Sequence, residues 1–364
     1  MTNKLFFELI QVAVGSRQRL SHAPSTEEWG RLYRMAEKQS LVGICFKAVK
    51  EMADSVPRPL YMQWLAMAAQ IQQRNEEMNR KCAEVYAAIC KEGFACAILK
   101  GQGVARYYRR GVECAAQGDA SLGRLRLSGD IDVWLWQEDA SLKANRREVV
   151  RFARTIQPDA TGAEHHVGVE WFGTEVELHY EPAYFCNPFA NRRFRKWFMG
   201  YDKSGFALTD DGFGVPDAAF DRVFLLAHAF RHYLSEGLGL RQVMDYYFLL
   251  KAIGLDAGSS PEHERLIRKL GMARFERAMR WVMGYVFEGK DEADGRKNGR
   301  MFLAHIMDGG NFGKYKTATV ASRHTHVGRF VNQLTHDLRL MWYYPREATW
   351  APLSMIREFI RVRL

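Results

Sequence analysis

The chain has 364 residues, 47% apolar and 13% aromatic, which allows two or three domains with sizeable cores and excludes disorder over most of its length. Its formal charge of +10 (52 Lys and Arg against 42 Asp and Glu) suits an anionic partner such as a nucleotide, a nucleic acid or a phosphorylated substrate. No run reaches the roughly 18 to 20 uninterrupted apolar residues of a membrane helix, so no membrane span is expected.

In chain order, residues 1–92 read as a helical region. The first segment, MTNKLFFELIQVAVGSRQRL, has an apolar centre interrupted by Glu8 and Gln11. It reads as an amphipathic helix and not a signal peptide, and the expected location is the cytoplasm. Thr26 stands as the N-cap of a second helix with acids in its first turn, and a break falls near Gly43. Pro57 and Pro59 mark a turn, after which one long helix runs to Gly93. Six cysteines show no C-x-x-C pair and look like small core residues, so neither a disulfide framework nor a zinc site has support in them.

The pattern changes over 93–187, where a small mixed β-sheet is expected, making the class α+β. Phe94 to Leu99 is a short apolar run consistent with a buried strand, and Lys100, Gly101, Gln102 and Gly103 turn it into a helix. The polar, glycine-rich stretch RRGVECAAQGDASLGR reads as an inserted surface loop. LSGDIDVWLW at 127–136 then reads as a strand that carries two acids. Side chains alternate with period two, so Ile131, Val133 and Leu135 share one face while Asp130 and Asp132 share the other. Adjacent carboxylates repel, and burial raises the cost; a cation between them removes the conflict. Magnesium, which favours oxygen ligands and keeps water and phosphate in its remaining positions, fits that role. A lone D-x-D is also consistent with a pair of exposed strand-end acids after Gly129, so its neighbours decide.

A helix comes next, starting near Asp139 or Ser141, and then a hairpin: HHVGVEWF and TEVELHYE alternate around Gly173 and Thr174. In its second strand Val176, Leu178 and Tyr180 share one face, and Glu175, Glu177 and His179 share the other. Residues 188–364 read as mostly helical, with a basic tail from Asn311 onward.

Three pieces lie in order: ILKG at 98–101, RLSGDIDVW at 126–134 and VELH at 176–179, followed by HAFRHYLSEGLGLRQVMD at 228–245. Together they resemble the nucleotidyltransferase superfamily of the DNA polymerase β type, and more closely the bacterial family of uncharacterised nucleotidyltransferases. The specific motifs cover most of residues 90–250. The resemblance implies two Mg2+ ions held by Asp130, Asp132 and Glu177, clamping a nucleoside triphosphate donor such as ATP and activating an attacking hydroxyl. It implies that Gly101 admits the triphosphate, that amides of the helix after it bind its oxygens, and that Lys100 adds charge. Gln102 stands where the superfamily commonly has serine, so a hydroxyl contact to phosphate is missing. Arg126 and Arg241 are candidate phosphate ligands and Gly129 a further nucleotide-binding candidate, with Asp245 orienting Arg241 at i, i+4 or forming an ordinary salt bridge with it. His179 supports the metal site or caps the strand. His228 and His232, also i, i+4, suit zinc by spacing but lack an evident third ligand, and read as histidines packed between helices.

The expected function is therefore transfer of a nucleoside monophosphate to a hydroxyl on a small molecule or a protein. A catalytically inactive nucleotide-binding module is the alternative. A basic nucleic-acid-binding protein ranks last, because it gives no reason for three acids to share a face.

Overall fold

In the computed structural model, residues 2–110, 122–254, 260–311 and 342–353 are described. Thr2–Ala13 (α1), Thr26–Lys38 (α2), Val42–Glu51 (α3) and the long Arg58–Lys91 (α4) form the N-terminal helices. The cap of α2 is Ser25 and not Thr26: the Ser25 hydroxyl accepts from the Glu28 amide while the Glu28 carboxylate accepts from the Ser25 amide. The break between α2 and α3 falls at residues 39–41, two residues ahead of Gly43, whose missing side chain serves packing instead. A Cβ there would lie 2.2 Å from the Leu125 carbonyl oxygen.

Ala95–Ile98 (β1), Ile131–Trp136 (β2), His166–Trp171 (β3) and Thr174–His179 (β4) make one mixed sheet in the order β1-β2-β4-β3. β1 pairs antiparallel with β2, β2 parallel with β4, and β3 antiparallel with β4. The β3–β4 turn is Phe172–Gly173, both at positive φ, one residue earlier than the sequence places it. The helix between β2 and β3, Leu142–Ile156 (α7), is capped by Ser141.

Both sheet faces are covered. Ile131, Val133 and Leu135 join Cys82, Val85 and Ile89 of α4 and Val149 and Phe152 of α7 in one core. On the other side Trp134 stacks on Phe220 at 5.3 Å and meets Phe198 edge-on, so the face that begins with acids continues as an aromatic wall. That wall comes from Pro188–Met199 (α8) and Ala218–Ser235 (α9). Ala207–Leu208 (β5) and Gly214–Val215 (β6) add a two-stranded hairpin, too short to show a period in the sequence.

Leu240–Ala252 (α10), Pro261–Lys269 (α11), Ala273–Phe287 (α12) and Arg296–Gly309 (α13) complete the helical part. They share a core with the N-terminal helices; the Gln39 side chain donates to the Ile306 carbonyl at 3.0 Å, and Gln11 to that of Val286 at 3.1 Å. No helix among the described residues is long and apolar enough to cross a membrane. Residues 111–121, from the stretch expected as a surface loop, and most of the basic tail lie outside the described residues, so the surface expected of the tail is not described; Cys114 also falls outside, and the five described cysteines are unbridged.

Candidate active site

The parallel pairing of β2 with β4 sets Asp132 opposite Glu177, and Trp134 opposite His179. On parallel strands in register, opposed residues point to the same face. One ligand atom from each of Asp132, Glu177 and His179 therefore falls within 4.8 Å of the others. The His179 Nε2 lies 3.1 Å from Asp132 Oδ1 and 3.1 Å from Glu177 Oε2, bridging the two acids. Lys100, at the end of β1, places its Nζ 2.6 Å from the same Asp132 Oδ1. Asp132 Oδ2 is buried without a hydrogen-bond partner. Asp130 sits just before β2, half-exposed.

The electrostatics arise from this arrangement. Burial works against the His179 imidazolium, but hydrogen bonds to Asp132 and Glu177 raise its pKa to about 9. Burial works to raise Glu177, yet the His179 hydrogen bond and the nearby charges of Lys100 and His166 hold it well below the carboxylate range. Burial opposes the Lys100 charge, and Asp132, Asp130 and Glu177 outweigh it, so the ammonium is held. Glu177 thus remains ionised at neutral pH, facing a charged lysine and a charged histidine.

Lys100, Gly101, Arg126, Gly129, Asp130, Asp132, Arg241 and Asp245 all line one narrow cavity, together with His228 of α9. Lys100, Asp130 and His228 also line a second cavity of about 490 Å³, with Glu177, His165, His166, Tyr184, Arg231 and His232. Most of the residues singled out from sequence therefore converge on one space, and Glu177 faces the adjoining one.

Other placements differ from expectation. Asp245 does not orient Arg241. It accepts from Arg126 Nε at 2.6 Å and Nη2 at 2.7 Å, and from the Tyr108 hydroxyl at 2.7 Å. Arg126 is 4% exposed, and its fork is matched to that carboxylate, so it is a structural partner before it is a phosphate ligand. Arg241 instead donates from Nη1 to the Leu127 carbonyl at 2.7 Å. Burial, with Arg126 as a like charge beside it, lowers the Arg241 pKa to about 10, against the pull of Asp245. The side chain of Gln102 turns toward α4, donating to the Asn75 carbonyl at 3.2 Å and to the Asn79 side chain, and does not line the cavity. The helix after the turn is broken into Gln102–Ala105 (α5) and Tyr107–Arg110 (α6). Gly101 therefore leads into two short helical turns and not one continuous helix. The glycine itself is required by its backbone, at φ 56.

The sequence reading missed Asn75, a buried amide on α4. It donates to the carbonyls of Arg124 at 2.7 Å and Arg126 at 2.8 Å and pins the approach to β2. It also missed Tyr108 and His165. Only Asn75 carried a usable signal: one asparagine on the apolar stripe of a long helix.

An in-register pair of strand acids, Asp132 and Glu177, thus stands with Asp130 close by and with a lysine at a glycine turn. Consistently, the model of the uncharacterised nucleotidyltransferase family matches residues 25–288, and the chain belongs to that family. No curated protein and no solved structure matches the chain.

Proposed function

We propose that the protein is a Mg2+-dependent nucleotidyltransferase that moves a nucleoside monophosphate from a nucleoside triphosphate to a hydroxyl of a small molecule or a protein. The observation that carries this reading is the register of Asp132 against Glu177, with Asp132 Oδ2 buried and unpartnered among the described residues and Asp130 lining the same cavity as Asp132. Such an oxygen is costly unless a cation or donor meets it. Three carboxylates form the hard oxygen set that Mg2+ selects, so the residues fit the ion. Asp130, Asp132 and Glu177 would hold it; when bound, it supplies positive charge to the triphosphate and acidifies the attacking hydroxyl.

The other residues act around that centre. Glu177, held far below neutrality by His179, is a poor proton acceptor and serves as a ligand. His179 positions both acids at once through one ring nitrogen. Lys100 neutralises Asp132 and stands at the turn where phosphate oxygens would approach. Arg241 adds a second buried cation to the same wall, and the 490 Å³ cavity has the size of a small-ligand site. The seating of Lys100 on Asp132 also favours one other reading, a nucleotide-binding module without turnover.

The test is thermal shift with ATP, GTP, CTP and UTP, each with and without Mg2+, on wild type and on the Asp130→Asn, Asp132→Asn double variant. Ligand at about 100 times its Kd stabilises by about 2.7 kcal/mol. A Mg2+-dependent shift for one nucleotide, lost in the double variant, is expected. An equal shift in the variant would overturn the site assignment. Release of pyrophosphate separates the enzyme from the silent module.

A further inference from the structure

We propose that His165, His166 and His179 form a binding site for one zinc-class transition-metal ion, next to the carboxylate centre and sharing His179 with it. One ring nitrogen from each of the three lies within 4.8 Å of the others. A tetrahedral zinc with nitrogen ligands needs them roughly 3.4 Å apart, given Zn–N bonds of about 2.0 to 2.1 Å. The rings are in edge contact: the centroid of His165 is 4.6 Å from that of His166 and 5.0 Å from that of His179.

Two observations point to a ligand rather than to a packed histidine cluster. The Nδ1 atoms of His165 and His179 are both buried with no hydrogen-bond partner. Buried ring nitrogens are ordinarily satisfied, so two orphans in one cluster mark a missing partner. The second is the orientation of His179. Its Nε2 faces Asp132 and Glu177, while Nδ1 is left over. A metal-ligating histidine has its distal N–H held by a carboxylate in this way, and at Nδ1 of His179 the ion would displace the proton of the imidazolium, which is released to solvent.

The cluster opens on the larger cavity through His165 and His166, which gives a path for the ion and a fourth position for water or substrate. Nitrogen ligands select against Mg2+. The strands explain how the cluster forms. His166 pairs with His179 across the β3–β4 ladder, and His165 precedes it at the strand start. The inference does not depend on the transferase reading, since it asks for no nucleotide.

The experiment uses the full-length protein, stripped with a chelator and titrated with Co2+, read by visible absorption, then with Zn2+ in competition. Wild type is expected to take up one equivalent of Co2+ with the bands of a nitrogen-ligated, four-coordinate ion, displaced by Zn2+. His165→Ala, His166→Ala should lose the bands and weaken binding at least about 10-fold, while Asp130→Asn keeps both. Should the double variant fail to fold, His165→Gln alone applies, since the His165 backbone carbonyl that receives the Tyr180 amide is unchanged. Wild-type protein that binds no Co2+ overturns the site. So does unchanged binding in the His165 and His166 variants, or loss of the bands in His228→Ala, His232→Ala.

Discussion

Replacing Asp245 with asparagine isolates the buried pair that holds Arg126. In the native arrangement the carboxylate receives two guanidinium N–H groups, at 2.6 and 2.7 Å, and the Tyr108 hydroxyl at 2.7 Å. Arg126 is 4% exposed and Asp245 7%, so water does not reach the pair to compensate. Asparagine keeps the shape but offers one acceptor oxygen and turns an N–H₂ toward a group that only donates. Arg126 is then a buried cation without a counter-charge, with Arg241 nearby as a like charge. Breaking a buried pair from one side costs about 3–5 kcal/mol. Against a total stability of about 5–15 kcal/mol, that is a large fraction. Urea unfolding followed by tryptophan fluorescence and circular dichroism reads it: the midpoint should fall with the slope unchanged. The double variant Arg126→Met, Asp245→Leu should be more stable than Asp245→Asn alone, because it removes the stranded charge. A loss below about 1 kcal/mol for Asp245→Asn would refute the reasoning. It would mean that Arg126 is solvated and free to serve a phosphate, as the sequence alone implies.

Other consequences are direct. Gly103→Ala places a Cβ 2.6 Å from the Ile98 carbonyl oxygen, and the backbone must yield; a loss of about 1–3 kcal/mol by chemical denaturation is expected, and none would show that α5 shifts freely. Asn75→Ala strips the donors from two carbonyls before β2; about 1–3 kcal/mol is expected, together with weaker nucleotide-dependent stabilisation in the thermal-shift assay. Glu276 is lowered to about 2: burial raises it, but His263 and Arg280 outweigh that. Its contribution is therefore present above the unfolded value near 4.5 and lost as pH falls from there toward 2. The melting-temperature gap between wild type and Glu276→Gln should close on acidification through that window; parallel curves would show that the carboxylate is not held.

The acidic constellation was legible because strand parity is strict. Asp130, Asp132 and Glu177 could be assigned to faces from alternation alone, and the covered, apolar strand around them made the acids anomalous. What local rules could not carry was pairing across distance. The i, i+4 rule joins Arg241 to Asp245, but the partner chosen is Arg126, 119 residues away, whose planar fork matches the carboxylate with two short hydrogen bonds. Gln102 reads as a phosphate-turn residue until α4 is placed beside it, where a carbonyl and an amide claim its side chain.

The register of β2 against β4 lies at the same limit, and it explains why the site depends on so few residues. A parallel pair is joined by a crossover whose length does not fix register; here α7 and the whole of β3 lie between the two strands. A slip of one residue would turn Glu177 away from Asp132 and bring Leu178 into its place. Leu178 is fully buried in the opposite core with Val176, so the slip would also expose that core. Packing on the apolar face of β4 thus holds the acids on the other face in register, and the His179 bridge then forms without further adjustment. The chemistry of the site is set by hydrophobic residues that never touch it.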